Sequence, residues 1–443
     1  MLIPELLSPA GSLKNMRYAL TYGADAVYAG QPRYSLRVRN NEFNNENLVN
    51  GIKEAHNMGK RFYVVVNIIP HNSKLKTFLY DLATIIEMQP DALIMSDPGL
   101  IMLVRETFPK IEIHLSVQAN TVNWAAVKFW QKIGLKRIIL SRELSIEEIK
   151  EIHQKVPNIE LEVFIHGALC MAYSGRCLLS NYINKRDSNQ GACTNVCRWA
   201  YKVYEGKEDI IGNIIPKSQS VKNTNLTLGT GQTADKTFLI EETKHPGEYF
   251  TAVEDEHGTY IMNSKDLRAI ELIERLIDIG VHSLKIEGRT KSFYYCARTA
   301  QVYRKAIDDA IIGKPFDINL LTKLDGLANR GYTMGFLRKH SHDEYQNYKF
   351  GYSISNKQQF VGEFTGQYKN GLAEVDVKNK FKIGDYLELM TPLGNIEFTL
   401  TSLFDKKKLP IKVASGNGYK VYINIPQNTN LNFALLIRHF KNN

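Results

Sequence analysis

The chain has 443 residues, of which 44% are apolar and 23% charged, with 30 Gly, 14 Pro and a net charge of +10. That composition excludes collagen-like, low-complexity and largely disordered chains, and the length supports two or three domains. Five Cys are too few for a disulfide-built scaffold. The opening residues 1–7 lack the basic and apolar regions of a secretory signal. The longest apolar runs, such as Phe62–Pro70, fall far short of the roughly 20 residues that span a bilayer. A cytoplasmic protein with no membrane partner is expected. The basic excess points to a polyanionic partner, and half of it lies in residues 356–443, with 12 Lys/Arg against 7 Asp/Glu. A solvated basic face is the plainer reading of the same charge.

In chain order, short apolar runs at Leu2–Ser8, Ala26–Ala29, Phe62–Ile69, Ala92–Ser96, Ile111–Val117, Arg137–Ser141 and Ile159–Ile165 alternate with amphipathic segments. An eighth run follows at Ser283–Glu287. Leu75–Met88 and Ser145–Gln154 have helical spacing. The second opens on a capping box, Ser145 with Glu148, in which each side chain satisfies an orphan backbone donor of the other residue. Four segments repeat weakly, beginning at Gly23, Gln89, Gly134 and Gly280. The three glycines suit a left-handed helix cap before a strand. Strand–helix alternation predicts a parallel sheet, and eight strands over about 290 residues suit an α/β fold of the (β/α)8, TIM-like type. An open doubly wound sheet is the rival.

Several strands carry polar residues at alternate positions. His114, Ser116, Gln118 and Asn120 form one such face; Glu162 with His166, and Lys285 with Glu287, form others. In a barrel these faces line the lumen, and the carboxyl ends of barrel strands carry the sites of barrel enzymes. Wet edge strands are the bland alternative. Residues 200–262 break the rhythm with Asn-, Thr- and Gly-rich sequence, expected as an insertion between strands seven and eight that is either a lid or partly disordered. Domain one then covers 1–335 and a linker 336–355. From 356 short alternating runs (Leu372–Val377, Tyr386–Met390, Glu397–Leu400, Tyr419–Ile425) predict a small, basic C-terminal β-barrel.

Four Cys fall within 28 residues: Cys170, Cys177, Cys193 and Cys197. Clustered thiolates in a reducing compartment suit tetrahedral zinc or a [4Fe-4S] cluster, and the six-residue first gap favours iron–sulfur without deciding it. Four small buried hydrophobes remain the bland reading, and Cys296, within a helical segment, reads as core. No His-Glu-x-x-His or Gly-x-Ser-x-Gly pattern is present.

The segment Glu162–Ser180, EVFIHGALCMAYSGRCLLS, resembles the signature of the peptidase U32 family, long catalogued as collagenase-like. Similar stretches are ELLSPAG from Glu5, YGADAVY from Tyr22, EDEHGTY from Glu254, NSKD from Asn263, SLKIEGRT from Ser283, CARTAQVYR from Cys296 and LANRGY from Leu327. These resemble one branch in particular, which installs a hydroxyl at C5 of wobble uridine (U34) in tRNA. The resemblance implies 5-hydroxyuridine formation that depends on prephenate as co-substrate, with Cys170, Cys177, Cys193 and Cys197 holding a [4Fe-4S] cluster. It also implies the tRNA anticodon stem-loop as partner. The base would be splayed out of its stack into the barrel mouth. Arg142, Arg289 and Lys285 are candidate cations for a dianionic substrate. His166 and Glu287 are candidate acid–base groups with Lys285, and Gln118 a candidate substrate contact. Glu5 and Asp25 read as structural. Two other functions stay open: a U32 peptidase, with Cys170 as nucleophile and His166 as base, and a non-catalytic RNA-binding protein using Tyr368, Lys378, Lys380 and Lys406–Lys408. The oligomeric state is not legible in the sequence.

Overall fold

The computed structural model describes residues 2–168 except 32, 36–41, 69 and 71, then 265–338 except 330, and 357–440 except 370, 417 and 426–428. Between 169 and 264 it describes strand segments and residue 247. Eight strands alternate with helices: β1 (Glu5–Pro9), α1 (Leu13–Thr21), β2 (Ala26–Gly30), α2 (Asn45–Asn57), β3 (Arg61–Val66), α3 (Asn72–Glu87), β4 (Ala92–Met95), α4 (Pro98–Thr107), β5 (Ile113–Leu115), α5 (Trp124–Lys132), β6 (Arg137–Ile139), α6 (Ile146–Lys155), β7 (Glu160–Ala168), α7 (Ile273–Ile279), β8 (Ser283–Ile286) and α8 (Phe293–Ile311). A shorter helix, α9 (Asn319–Asp325), follows.

Neighbouring strands pair in parallel from β1 to β7, and β8 closes the ring on both sides, with Ser283 opposite Glu162 and Glu5. This is the eight-stranded barrel, not the open sheet. Its strands are apolar on their outer face because each is covered by a helix. In α6, Ile146, Ile149 and Ile152 repeat at helical spacing and are buried, and the Ser145–Glu148 capping box forms. All four repeat segments enter their strands through a left-handed residue: Gly23, Gly134 and Gly280, and also Gln89 at φ 61°. Among the described residues, no helix is long and apolar enough to cross a membrane.

The insertion expected over 200–262 holds strands of its own. Segments Tyr201–Glu208, Ile214–Pro216, Phe238–Glu242, Tyr249–Asp255 and Gly258–Ile261 pair as a five-stranded antiparallel sheet. The chain leaves β7 at Ala168 and returns at Asp266–Arg268, which pairs antiparallel with the end of β7, Asp266 opposite Ala168. Where a small C-terminal β-barrel is expected, the described residues form an antiparallel sheet. Seven strands surround a core of their own that includes Val361, Val375, Leu389 and Ile423. Three of those strands, Gln358–Lys369, Leu403–Phe404 and Leu435–His439, are not among the predicted runs. The expected linker falls largely in 339–356, outside the described residues.

Candidate active site at the barrel mouth

The lower lumen is filled by alternating charges. Arg137 donates to Glu5 Oε1 at 2.6 Å and lies 3.3 Å from Glu162 Oε2, while Lys285 Nζ donates to Glu162 Oε1 at 2.7 Å. Tyr63 donates to Glu5 Oε2 at 2.6 Å. Each buried charge thus has an opposite partner, the condition for keeping it ionised away from water. Glu5 is structural, as expected, and so is Asp25, which accepts from the Leu6 amide and pairs with Lys60 and Arg304. Burial lowers the Lys285 ammonium pKa, with Glu162 acting against the shift, and the ammonium sits 4.2 Å from the centre of the Tyr28 ring. His114 is held neutral, its pKa driven well below the ordinary range by burial and then by Arg137.

Above this layer, at the carboxyl ends of β6–β8, Arg142 forms an ion pair with Glu287. The guanidinium lies 3.9 Å from the centre of the Phe164 ring. Glu287 is fixed through its backbone: its N–H donates to the His166 carbonyl at 2.8 Å, and its carbonyl accepts from Tyr295 OH at 2.6 Å. Gly167, at φ 109°, lets β7 approach closely, since a Cβ there would stand 2.5 Å from the Glu287 carbonyl oxygen. Arg289 reaches across the end of β2, where a side chain at Gly30 would collide with its guanidinium. On the opposite rim Asn67 donates to Ser116 Oγ at 3.1 Å, and Ser96 Oγ donates to the Asn67 carbonyl at 2.9 Å.

The structure therefore brings Arg142, Glu287 and Arg289 to one end of the barrel, with Lys285 in the layer below. Two expectations change. His166 does not share the luminal face of Glu162. The register with β8 shifts between Lys285 and Ile286, so that Phe164 opposes Lys285 and His166 opposes Ile286. The extra residue in β7 turns His166 outward against α8, a β-bulge effect. There its Nδ1 lies 3.2 Å from Tyr303 OH, which itself donates to the Ile165 carbonyl. Burial, with Arg268 and Lys291 adding to it, pushes the His166 pKa down to about 3. A base so placed does not suit the thiol–imidazole pair of the peptidase reading.

Gln118 and Asn120 do not continue β5. A 3-10 turn over Val117–Ala119 ends the strand's alternation, and Asn120 takes a left-handed conformation at φ 54°. The four-Cys cluster lies outside the described residues: Cys170, Cys193 and Cys197 entirely, and Cys177 described only as strand backbone opposite Ala172. Cys296 is core, bonded to the Pro9 carbonyl, and burial raises its thiol pKa to about 12. Sequence reasoning missed Asn67, Ser96 and Tyr295. The first carried a signal, an Asn interrupting the apolar run from Phe62; the tyrosine did not, because its role depends on where α8 begins.

A closed parallel barrel whose charged residues converge at the carboxyl ends of its strands defines an enzyme of the (β/α)8 class. The chain belongs to peptidase family U32: residues 11–347 match that family, and residues 356–438 match the family's C-terminal domain. It is 70% identical over 442 residues to the tRNA hydroxylation protein P of Escherichia coli, covering 99% of this chain and 98% of that protein. The Haemophilus influenzae protein of the same name is 68% identical, over 99% of this chain and 97% of that one. A solved U32 peptidase, Mk0906, overlays with a TM-score of 0.33 at 14% identity, covering 38% of this chain and 70% of that one.

Proposed function

We propose that this chain is a tRNA-modifying enzyme that converts wobble uridine to 5-hydroxyuridine, with prephenate as co-substrate. The observation that carries the reading is near-full-length 70% identity to the tRNA hydroxylation protein P of Escherichia coli. The mouth chemistry supports it. Arg142 and Arg289 offer guanidinium groups of the kind that recognise a dicarboxylate. Glu287 is a carboxylate placed for proton transfer to or from a base held at the mouth. Lys285 and Glu162, one layer below, keep the lumen charged but balanced, so the cations above are not neutralised from beneath. The base reaches this mouth only when splayed out of the anticodon stack.

Cys170, Cys177, Cys193 and Cys197 would hold a [4Fe-4S] cluster. The donor set fits, being four thiolates with the first two residues beyond the end of β7. Such a cluster, when bound, supplies electron transfer or a Lewis-acidic iron. The deciding experiment is nucleoside mass spectrometry of bulk tRNA from cells lacking this gene and any parallel route to the nucleoside. 5-Hydroxyuridine and its derivatives should disappear, and return with the wild-type gene but not with Cys177→Ala. Unchanged tRNA would reject the reading.

A further inference from the structure

A cleft of about 350 Å³ separates the start of α8 from the first strand of the C-terminal sheet. Its walls include Lys291 and Tyr295 on the barrel side, and Gln359, Phe360, Asn379 and Phe440 on the other. Tyr295 is also the residue whose hydroxyl holds the Glu287 carbonyl. The cleft therefore shares a wall residue with the main chain that carries Glu287. The Lys291 ammonium lies 5.6 Å from the centre of the Tyr295 ring, and the Arg438 guanidinium 5.3 Å from that of Phe440. Phe360 and Phe440 are only partly buried, and the amide side chains of Gln359 and Asn379 lie beside them.

We propose that this cleft receives a nucleotide of the RNA substrate adjacent to the reacting base, and that it rests on the tRNA reading above. Aromatic rings, amides and cations side by side are the chemistry of single-stranded RNA recognition. Rings stack on a base face, amides meet a base edge, and cations neutralise the flanking phosphate. The volume lies at the lower end of the range for sites that enclose a small ligand, about 300 Å³ and above. A base splayed into the barrel mouth pulls its neighbour out of the stack, and the cleft gives that neighbour a second platform. Barrel and C-terminal domain would then grip one strand together.

The test is fluorescence anisotropy of a synthetic anticodon stem-loop RNA with the full-length protein, comparing wild type with Phe440→Ala, Lys291→Ala and Ala328→Trp. Loss of a stacking partner should weaken binding by roughly five- to a hundredfold. Ala328 is exposed at the cleft edge, so Ala328→Trp blocks the cleft while leaving the core intact, and it decides the matter if Phe440→Ala unfolds. Wild-type binding that all properly folded variants reproduce would overturn the cleft and leave the tRNA reading standing. A wild-type protein that does not bind the stem-loop would overturn both.

Discussion

Glu287 owes its position to main-chain contacts, so its carboxylate can be altered without dismantling the strand end that carries it. Glu287→Gln keeps the shape and removes the charge opposite Arg142. On the proposed chemistry the rate of 5-hydroxyuridine formation should fall by about a hundredfold or more, with a melting temperature close to wild type. An unaltered single-turnover rate would remove Glu287 from the proton transfer. His166 makes a different prediction. Its pKa in the folded chain is about 3, lowered mainly by burial, against an ordinary 6.5. The unfolded chain therefore binds the extra proton first. The stability this histidine confers is complete above about pH 6.5 and is lost progressively as pH falls toward 3. His166→Gln should flatten the pH dependence of the denaturant midpoint in that window; an equally steep profile would show that other groups carry it.

At the scale of elements, α8 is the hinge pin between the two halves. One face supplies Cys296 and Tyr303 to the barrel, and the other meets the C-terminal sheet through Arg298, whose guanidinium is 0% exposed and makes two hydrogen bonds to Glu388. Gln301 adds bonds to the Thr391 carbonyl and Asn395. Burial alone would raise the Glu388 carboxyl, but Arg298 and then His439 outweigh it and hold it near 2. Glu388→Ala leaves a buried guanidinium without its counter-charge and should cost about 3–5 kcal/mol. Replacing the pair together, Arg298→Met with Glu388→Leu, should recover most of that in urea unfolding. A single substitution as mild as the double one would mean that water reaches Arg298.

Much at this scale was legible in the sequence. All eight barrel strands were marked by apolar runs, and the α6 cap by its Ser145–Glu148 spacing. What was not legible depends on partners far along the chain. Arg142 and Glu287 each looked like a polar residue at a strand end, but they are 145 positions apart and only ring closure makes them a pair. Arg298 and Glu388 belong to different domains. A one-residue bulge reverses His166, and a strict two-residue period cannot register it.

Over the whole molecule, the net charge of +10 and the exposed Lys406, Lys407 and Lys408 of the C-terminal domain set how binding should respond to salt. Affinity for tRNA should fall linearly in log–log form as salt rises, because each neutralised phosphate releases a counterion. Changing those three lysines to Ala should reduce the slope by about 2–3 if all three contact phosphate. A slope that does not move would place the RNA on another face. The return strand at Asp266 has a further consequence, since it stands directly opposite Ala168 on β7. The two ends of the intervening 97 residues are ladder neighbours, about 5 Å apart, a gap that a hairpin turn bridges. The segment is thus a cassette plugged into a socket. Past Cys197, evolution can lengthen or trim it while the ring of eight strands, and the ion pair seated on it, stays in register.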